Sequence, residues 1–72
     1  MNKNLYRSKM ALFGDTNRTV AAAIGISPQR NSAKLNGNHG ADYTRREILL
    51  LKKRWRLTAE EVDAIFFAEE AF

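Results

Sequence analysis

Side chains that could act in catalysis or hold a metal are few and scattered in this 72-residue chain. There is no cysteine, and the one histidine, His39, has no second histidine or carboxylate pair beside it, so it is expected to be a solvated loop residue. No glycine-rich phosphate loop is present, and no serine has a plausible base. Because catalytic and metal sites need several such groups together, the sequence predicts no enzyme, no metal, no cofactor and no small-molecule substrate.

Charge is divided unevenly along the chain. Residues 1–57 contain all 12 lysines and arginines and only three acidic residues, whereas residues 58–72 contain five acidic residues and no lysine or arginine. A basic body attracts nucleic acid and acidic protein surfaces by the same Coulombic steering. Charge therefore predicts a macromolecular partner without choosing between DNA and protein.

Length and composition predict a single soluble domain over residues 1–72. No apolar run approaches about 18 residues, and the N-terminus lacks a signal-peptide core. The lack of cysteine fits a reducing compartment. We therefore expect a cytoplasmic protein with no membrane partner.

Apolar spacing and capping signals predict an all-α fold of five helices. The first is indicated over about residues 4–13 by Leu5, Met10, Leu12 and Phe13, and the second covers about 17–24. The third runs from 28 to about 35, with a loop from Asn36 to Asp42 after it. Capping boxes start the fourth and fifth helices, and the fourth helix runs to about residue 55. The predicted buried residues of these last two are Ile48, Leu51, Trp55, Val62, Ile65 and Phe66.

The run from Thr19 to Gly37 has the order helix, glycine turn, capped helix. Gly25 can take the positive φ that ends the first helix, Ser27 can cap the second, and Pro28 suits its first position. This order is typical of a helix-turn-helix, in which the second helix is presented outward.

The run resembles the helix-turn-helix of the Cro/CI (XRE-type) phage regulators, through Ala21, Gly25, Ile26 and the closing Asn36-Gly37. The similarity extends from about Leu5 to Phe66 and is greatest to the modulator-of-repression antirepressors of lactococcal temperate phages. It implies a compact five-helix, lambda-repressor-like domain with its helix-turn-helix at about residues 17–36.

The resemblance also implies which residues meet the partner, whether that is a repressor or DNA. In DNA-binding members, side chains near the start of the outward helix touch base edges. The corresponding candidates in this chain are Pro28, Gln29, Arg30, Asn31, Ser32 and Lys34, with Arg18 and Lys9 as auxiliary basic contacts.

Two of these residues depart from the family pattern. Pro28 stands where DNA-binding relatives often have a polar side chain, and Asn31 stands where an apolar partner of Ile26 belongs. A buried amide must find hydrogen-bond partners, because an unsatisfied one costs about 1–3 kcal/mol. Asn31 is therefore either tolerated at the edge of the domain or part of a helix surface adapted to another partner.

Two functions follow from the resemblance. The first is an antirepressor that binds the N-terminal, helix-turn-helix DNA-binding domain of the phage repressor, blocks its operator binding and favours the lytic cycle. The alternative is a Cro-like transcriptional repressor that binds operator DNA. DNA contact, alone or in a joint complex with the repressor, is compatible with the basic charge.

Several apolar residues exceed what a small core can bury. These are Leu49, Leu50, Phe67, Ala71 and Phe72. Either they are partly covered by a tail that folds back, or they form a surface for self-association or a partner.

Overall fold

Five α-helices and no strand make up the part of the chain that the computed structural model describes, residues 1–37 and 43–67. The helices are α1 (Lys3–Leu12), α2 (Asn17–Ile24), α3 (Pro28–Asn36), α4 (Arg45–Arg54) and α5 (Ala59–Phe66). The predicted all-α, five-helix fold is confirmed. His39, Asp42, Ala71 and Phe72 lie outside the described residues.

Capping side chains determine where the helices begin. Thr44 and Thr58 each accept a hydrogen bond from the backbone amide three residues on, and Glu47 and Glu61 bond back to the cap amides, as predicted. Asn2 caps α1, accepting from Leu5 N at 3.0 Å, so this helix starts and ends one residue earlier than predicted. At its C-terminal end, α3 includes Asn36, which was predicted to be the first residue of the loop.

Tyr6 lies at the centre of the core and is fully buried. Its ring packs edge-on against Trp55, with ring centroids 5.1 Å apart, and stacks on Tyr43 at 5.5 Å. The other buried core residues include the predicted Ile48, Leu51, Trp55 and Ile65, and Val62 and Phe66 pack partly buried beside them. Tyr6 itself was not among the predicted core positions.

The apolar residues that indicated α1 do not share one face. Leu5 and Met10 pack against the core, whereas Leu12 is 72% exposed and Phe13 is 42% exposed. Two apolar side chains at the end of α1 therefore add little to the core.

An ionised aspartate ties the turn between α1 and α2 to the end of α4. Asp15 accepts two hydrogen bonds from the Arg54 guanidinium (2.9 and 2.7 Å), one from Trp55 Nε1 (2.7 Å) and one from the Thr19 hydroxyl (2.8 Å). The hydrogen bonds from Arg54 hold the pKa of the Asp15 carboxyl well below its usual range. Burial opposes this effect, and the hydrogen bonds from Trp55 and Thr19 lower the pKa further. The carboxylate is thus charged at neutral pH and joins two distant parts of the chain.

No helix within residues 1–37 and 43–67 combines the length and the apolar character needed to cross a membrane.

Candidate functional site

The helix pair α2 and α3 positions the predicted partner-binding residues. Gly25 ends α2 in the left-handed conformation (φ 77°), and Ile26 N donates to Ala21 O at 3.0 Å, which closes the turn. Ser27 Oγ then accepts from Arg30 N at 3.1 Å and starts α3, with Pro28 at its first position. The predicted turn and cap are therefore present.

The first turn of α3 faces solvent. Pro28, Gln29 and Arg30 are all exposed, and the Arg30 side chain has no ion-pair partner among the described residues. Ser32, one turn further along, is half-buried. Three of the six predicted residues on α3 are thus exposed at its outer turn and offer an apolar pyrrolidine ring, an amide and a guanidinium.

Asn31 is not at the edge of the domain, and this expectation was wrong. Its side chain is fully buried. Nδ2 donates to Asn17 Oδ1 at 2.7 Å, and Oδ1 accepts from the Tyr43 hydroxyl at 2.6 Å. The amide fills a position that apolar residues occupy in the resembled family because polar partners surround it in this chain, so it cannot line an outer surface.

The polar chain continues behind Asn31 into the core. The Tyr43 hydroxyl is hydrogen-bonded to that of Tyr6 at 2.9 Å. Because a phenol carries one proton and an amide oxygen only accepts, Tyr43 gives its proton to Asn31 and receives one from Tyr6. Burial raises the pKa of both tyrosines, so both phenols are neutral at physiological pH. We call Asn17, Asn31, Tyr43 and Tyr6 the buried polar chain.

Asn17 also fixes the start of α3 directly. Its Nδ2 donates to Pro28 O at 3.0 Å, while its Oδ1 accepts from Asn31. One side chain at the start of α2 therefore holds two residues of α3. This arrangement fixes the two helices relative to each other, and it leaves the Asn17 amide committed within the protein.

Lys34 is the second predicted contact that lies inside. Its side chain is 3% exposed, and Nζ lies 3.1 Å from Glu47 Oε1 and 5.9 Å from the centre of the Tyr43 ring. Burial opposes ionisation of Glu47, but the hydrogen bonds from Thr44 and Lys34 and the positive charge of Lys34 together outweigh it, so the pKa of Glu47 is lowered. Lys34 thus fastens α3 to the start of α4, and the prediction that it contacts a partner is not supported by its position.

The two auxiliary basic residues differ. Arg18 is exposed near the start of α2 and has no ion-pair partner among residues 1–37 and 43–67. Lys9 is half-buried and forms an ion pair with Glu61, which links α1 to α5. Only Arg18 therefore offers an unpaired charge.

Sequence reasoning missed the supporting residues Asn17, Tyr6 and Tyr43 as parts of the site. Their partners are 11 to 37 residues away along the chain, so no local spacing could reveal the hydrogen bonds. The one available signal was Asn31 itself, because a polar residue at an apolar position needs partners.

In the described part of the chain, no group of three or more histidine, aspartate or glutamate side chains could hold a metal ion. Comparison with protein-family models, with curated proteins and with solved structures gave no match to this chain.

Proposed function

We propose that this protein is a helix-turn-helix antirepressor that binds the N-terminal, DNA-binding domain of a temperate-phage repressor in the cytoplasm of the bacterial host. It covers the repressor helices that would enter the major groove, blocks operator binding and favours the lytic cycle. The choice of partner rests on the similarity of residues 19–37 to the Cro/CI regulators and on the overall similarity to the modulator-of-repression antirepressors.

The observation that carries the proposal is the exposed turn Pro28–Gln29–Arg30 on a helix whose opposite side is bonded to the core of the protein. Asn31 and Lys34 are buried on the inner side of α3 and bonded to Asn17, Tyr43 and Glu47. A surface that is already ordered loses little conformational freedom when it binds. The outer turn therefore presents a rigid docking surface to the partner.

The distribution of charge favours a protein partner over a DNA duplex. Duplex binding depends on lysines and arginines that neutralise several phosphates. Of the basic residues predicted as contacts, Lys34 is buried against Glu47 and Lys9 is paired with Glu61, which leaves Arg18 and Arg30 exposed. A protein surface requires less charge, since a single unpaired guanidinium such as Arg30 can fix the register against one carboxylate.

Co-elution with the repressor's N-terminal domain tests the proposal. Wild-type protein should co-elute with that domain in size-exclusion chromatography and release it from operator DNA. Arg30→Glu should weaken the complex by at least tenfold, because it reverses the one unpaired charge on the outer turn.

Arg7→Glu is the matched control, since Arg7 is an exposed arginine on α1 with no ion-pair partner among the described residues. It should bind the repressor domain like wild type. Both variants should keep the wild-type circular dichroism spectrum. If Arg30→Glu folds and binds the repressor domain unchanged, the interface is not on α3.

The second candidate is a Cro-like reader of operator DNA. It is favoured by the exposure of Gln29 and Arg30, whose side chains can form bidentate contacts with adenine and guanine. Titrating the isolated protein with operator duplex at about 50 and about 200 mM salt separates the two functions. Tight, sequence-specific binding that falls steeply with salt, together with no repressor binding, would replace the antirepressor proposal.

A further inference from the structure

The outer face of α4 carries a groove that the proposed function does not use. Its residues recur at positions i, i+1, i+4, i+5 and i+8 of the helix and therefore lie on one side. Leu49 is 53% exposed in the middle of this face. The lining residues are Arg45, Arg46, Leu49, Leu50 and Lys53.

A second hollow continues the groove between α4 and α5. It shares Arg45 and Leu49 with the first and is completed by apolar side chains, including Phe67, which is 62% exposed. Its remaining lining residues are Tyr43, Ile48 and Val62. We call the two hollows together the Leu49 groove.

The charge around the Leu49 groove has one sign. Arg45, Arg46 and Lys53 lie along it, and none forms an ion pair with a described residue. No acidic side chain lines either hollow among residues 1–37 and 43–67. The groove therefore combines exposed apolar side chains with three cations that no described acidic residue pairs with.

We propose that the Leu49 groove is a docking site for an acidic amphipathic helix of a partner protein. The helix would lay an apolar side chain over Leu49, towards Phe67, and set carboxylates against Arg45, Arg46 and Lys53. Helix-in-groove recognition uses this division, with apolar anchors on one stripe and charges beside it. The site is separate from the outer turn of α3.

Charge and apolar exposure argue against two other occupants. A two-fold contact centred on Leu49 would set Arg45 and Arg46 of one copy against Lys53 of the other, and like charges repel. A DNA duplex would meet the cations but leave Leu49 and Phe67 without an apolar partner.

The probe is a synthetic amphipathic helical peptide, with leucines at i, i+3, i+4 and i+7 and glutamates flanking them. Its matched control carries lysine in place of every glutamate. We expect the acidic peptide to shift the NMR amide signals of residues 45–53, with the weak affinity of a small interface. The lysine peptide should cause no such shifts.

Leu49→Glu and Arg46→Glu should each lower the affinity for the acidic peptide at least tenfold. Leu12→Glu is the matched control, because Leu12 is 72% exposed but lies on α1, outside the groove. Leu12→Glu and Arg30→Glu should both bind the peptide like wild type, which separates this site from the proposed repressor interface.

Four results would overturn the proposal. One is the absence of shifts in residues 45–53 at millimolar peptide, and another is equal binding of the two peptides. The third is self-association that Leu49→Glu abolishes, which would assign the groove to a second copy. The last is binding to phosphatidylserine vesicles or to duplex DNA through the groove without peptide binding.

Discussion

Replacing Asn31 by alanine tests whether a buried amide holds the outer helix in place. Asn31 donates to Asn17 Oδ1 at 2.7 Å and accepts from the Tyr43 hydroxyl at 2.6 Å. Each hydrogen bond contributes about 0.5–1.5 kcal/mol, and a buried donor left without an acceptor costs about 1–3 kcal/mol. Asn17 is half-buried, so water can replace its lost bond. We therefore expect the free energy of unfolding to fall by about 2–4 kcal/mol.

Urea unfolding measures this loss. Trp55 is the only tryptophan and is 1% exposed, so its fluorescence reports the opening of the core. Helical circular dichroism gives an independent second signal. The midpoint should move to lower urea while the slope of free energy against urea stays unchanged, because the surface exposed on unfolding is nearly the same.

A double-mutant cycle identifies the cause. Tyr43→Phe alone leaves the Asn31 carbonyl oxygen buried without its donor, so it should also destabilise. In the double variant both partners are gone, and the cost should fall short of the sum of the single costs by about 1–2 kcal/mol.

Gln29→Ala serves as the control, since Gln29 is the exposed neighbour on the outer turn and should change the stability by less than about 0.5 kcal/mol. A loss below about 0.5 kcal/mol for Asn31→Ala, or single costs that simply add in the double variant, would refute the role of the Asn31 amide in holding α3 against the core.

Three further predictions concern the turns and the ionised groups. Asp15→Asn removes the charge that accepts from Arg54 and should lower the free energy of unfolding by about 1.5–3 kcal/mol, measured by urea unfolding at pH 7. The pKa values of Asp15 and Glu47 are lowered in the folded protein, so their stabilisation is present above the unfolded-state pKa values of about 4 and is lost as pH falls below them. The urea midpoint, measured at intervals of about one pH unit, should therefore fall between pH 5 and pH 3 for wild type and fall less for Asp15→Asn. Equal falls in the two proteins would show that Asp15 is not responsible. Gly25→Ala should cost about 1–2 kcal/mol in thermal unfolding, because φ is 77° there although an added Cβ meets no atom within 4 Å; an unchanged melting temperature would contradict this.

The helix boundaries could be predicted because their signals are local. Thr44 and Thr58 each start a helix through a capping box whose two members are three residues apart. Gly25 and Gly37 end helices with φ of 77° and 68°, which glycine adopts without cost. Each of these signals lies within one helical turn, so the residues that interact are close together in the sequence and can be recognised from it.

The inner surface of α3 could not be predicted because its contacts join distant parts of the chain. Lys34 was expected to face a partner, and it is buried because Glu47, 13 residues later, is fixed in a capping box beside it. Asn31 was recognised as a misfit, but its partners Asn17 and Tyr43 come from α2 and from the residue before the α4 cap. Periodicity assigns a side chain to a face and carries no information on which polar groups will meet there.

The outer and inner sides of α3 differ in what evolution can change. Pro28, Gln29 and Arg30 send their side chains into solvent, so substitutions among polar residues at positions 29 and 30 leave the folded state largely unaffected. Asn31 and Lys34, which follow them in α3, are buried in the interior. A lineage carrying this fold can therefore follow changes in its partner by altering two neighbouring positions, while the framework that orients them stays constant.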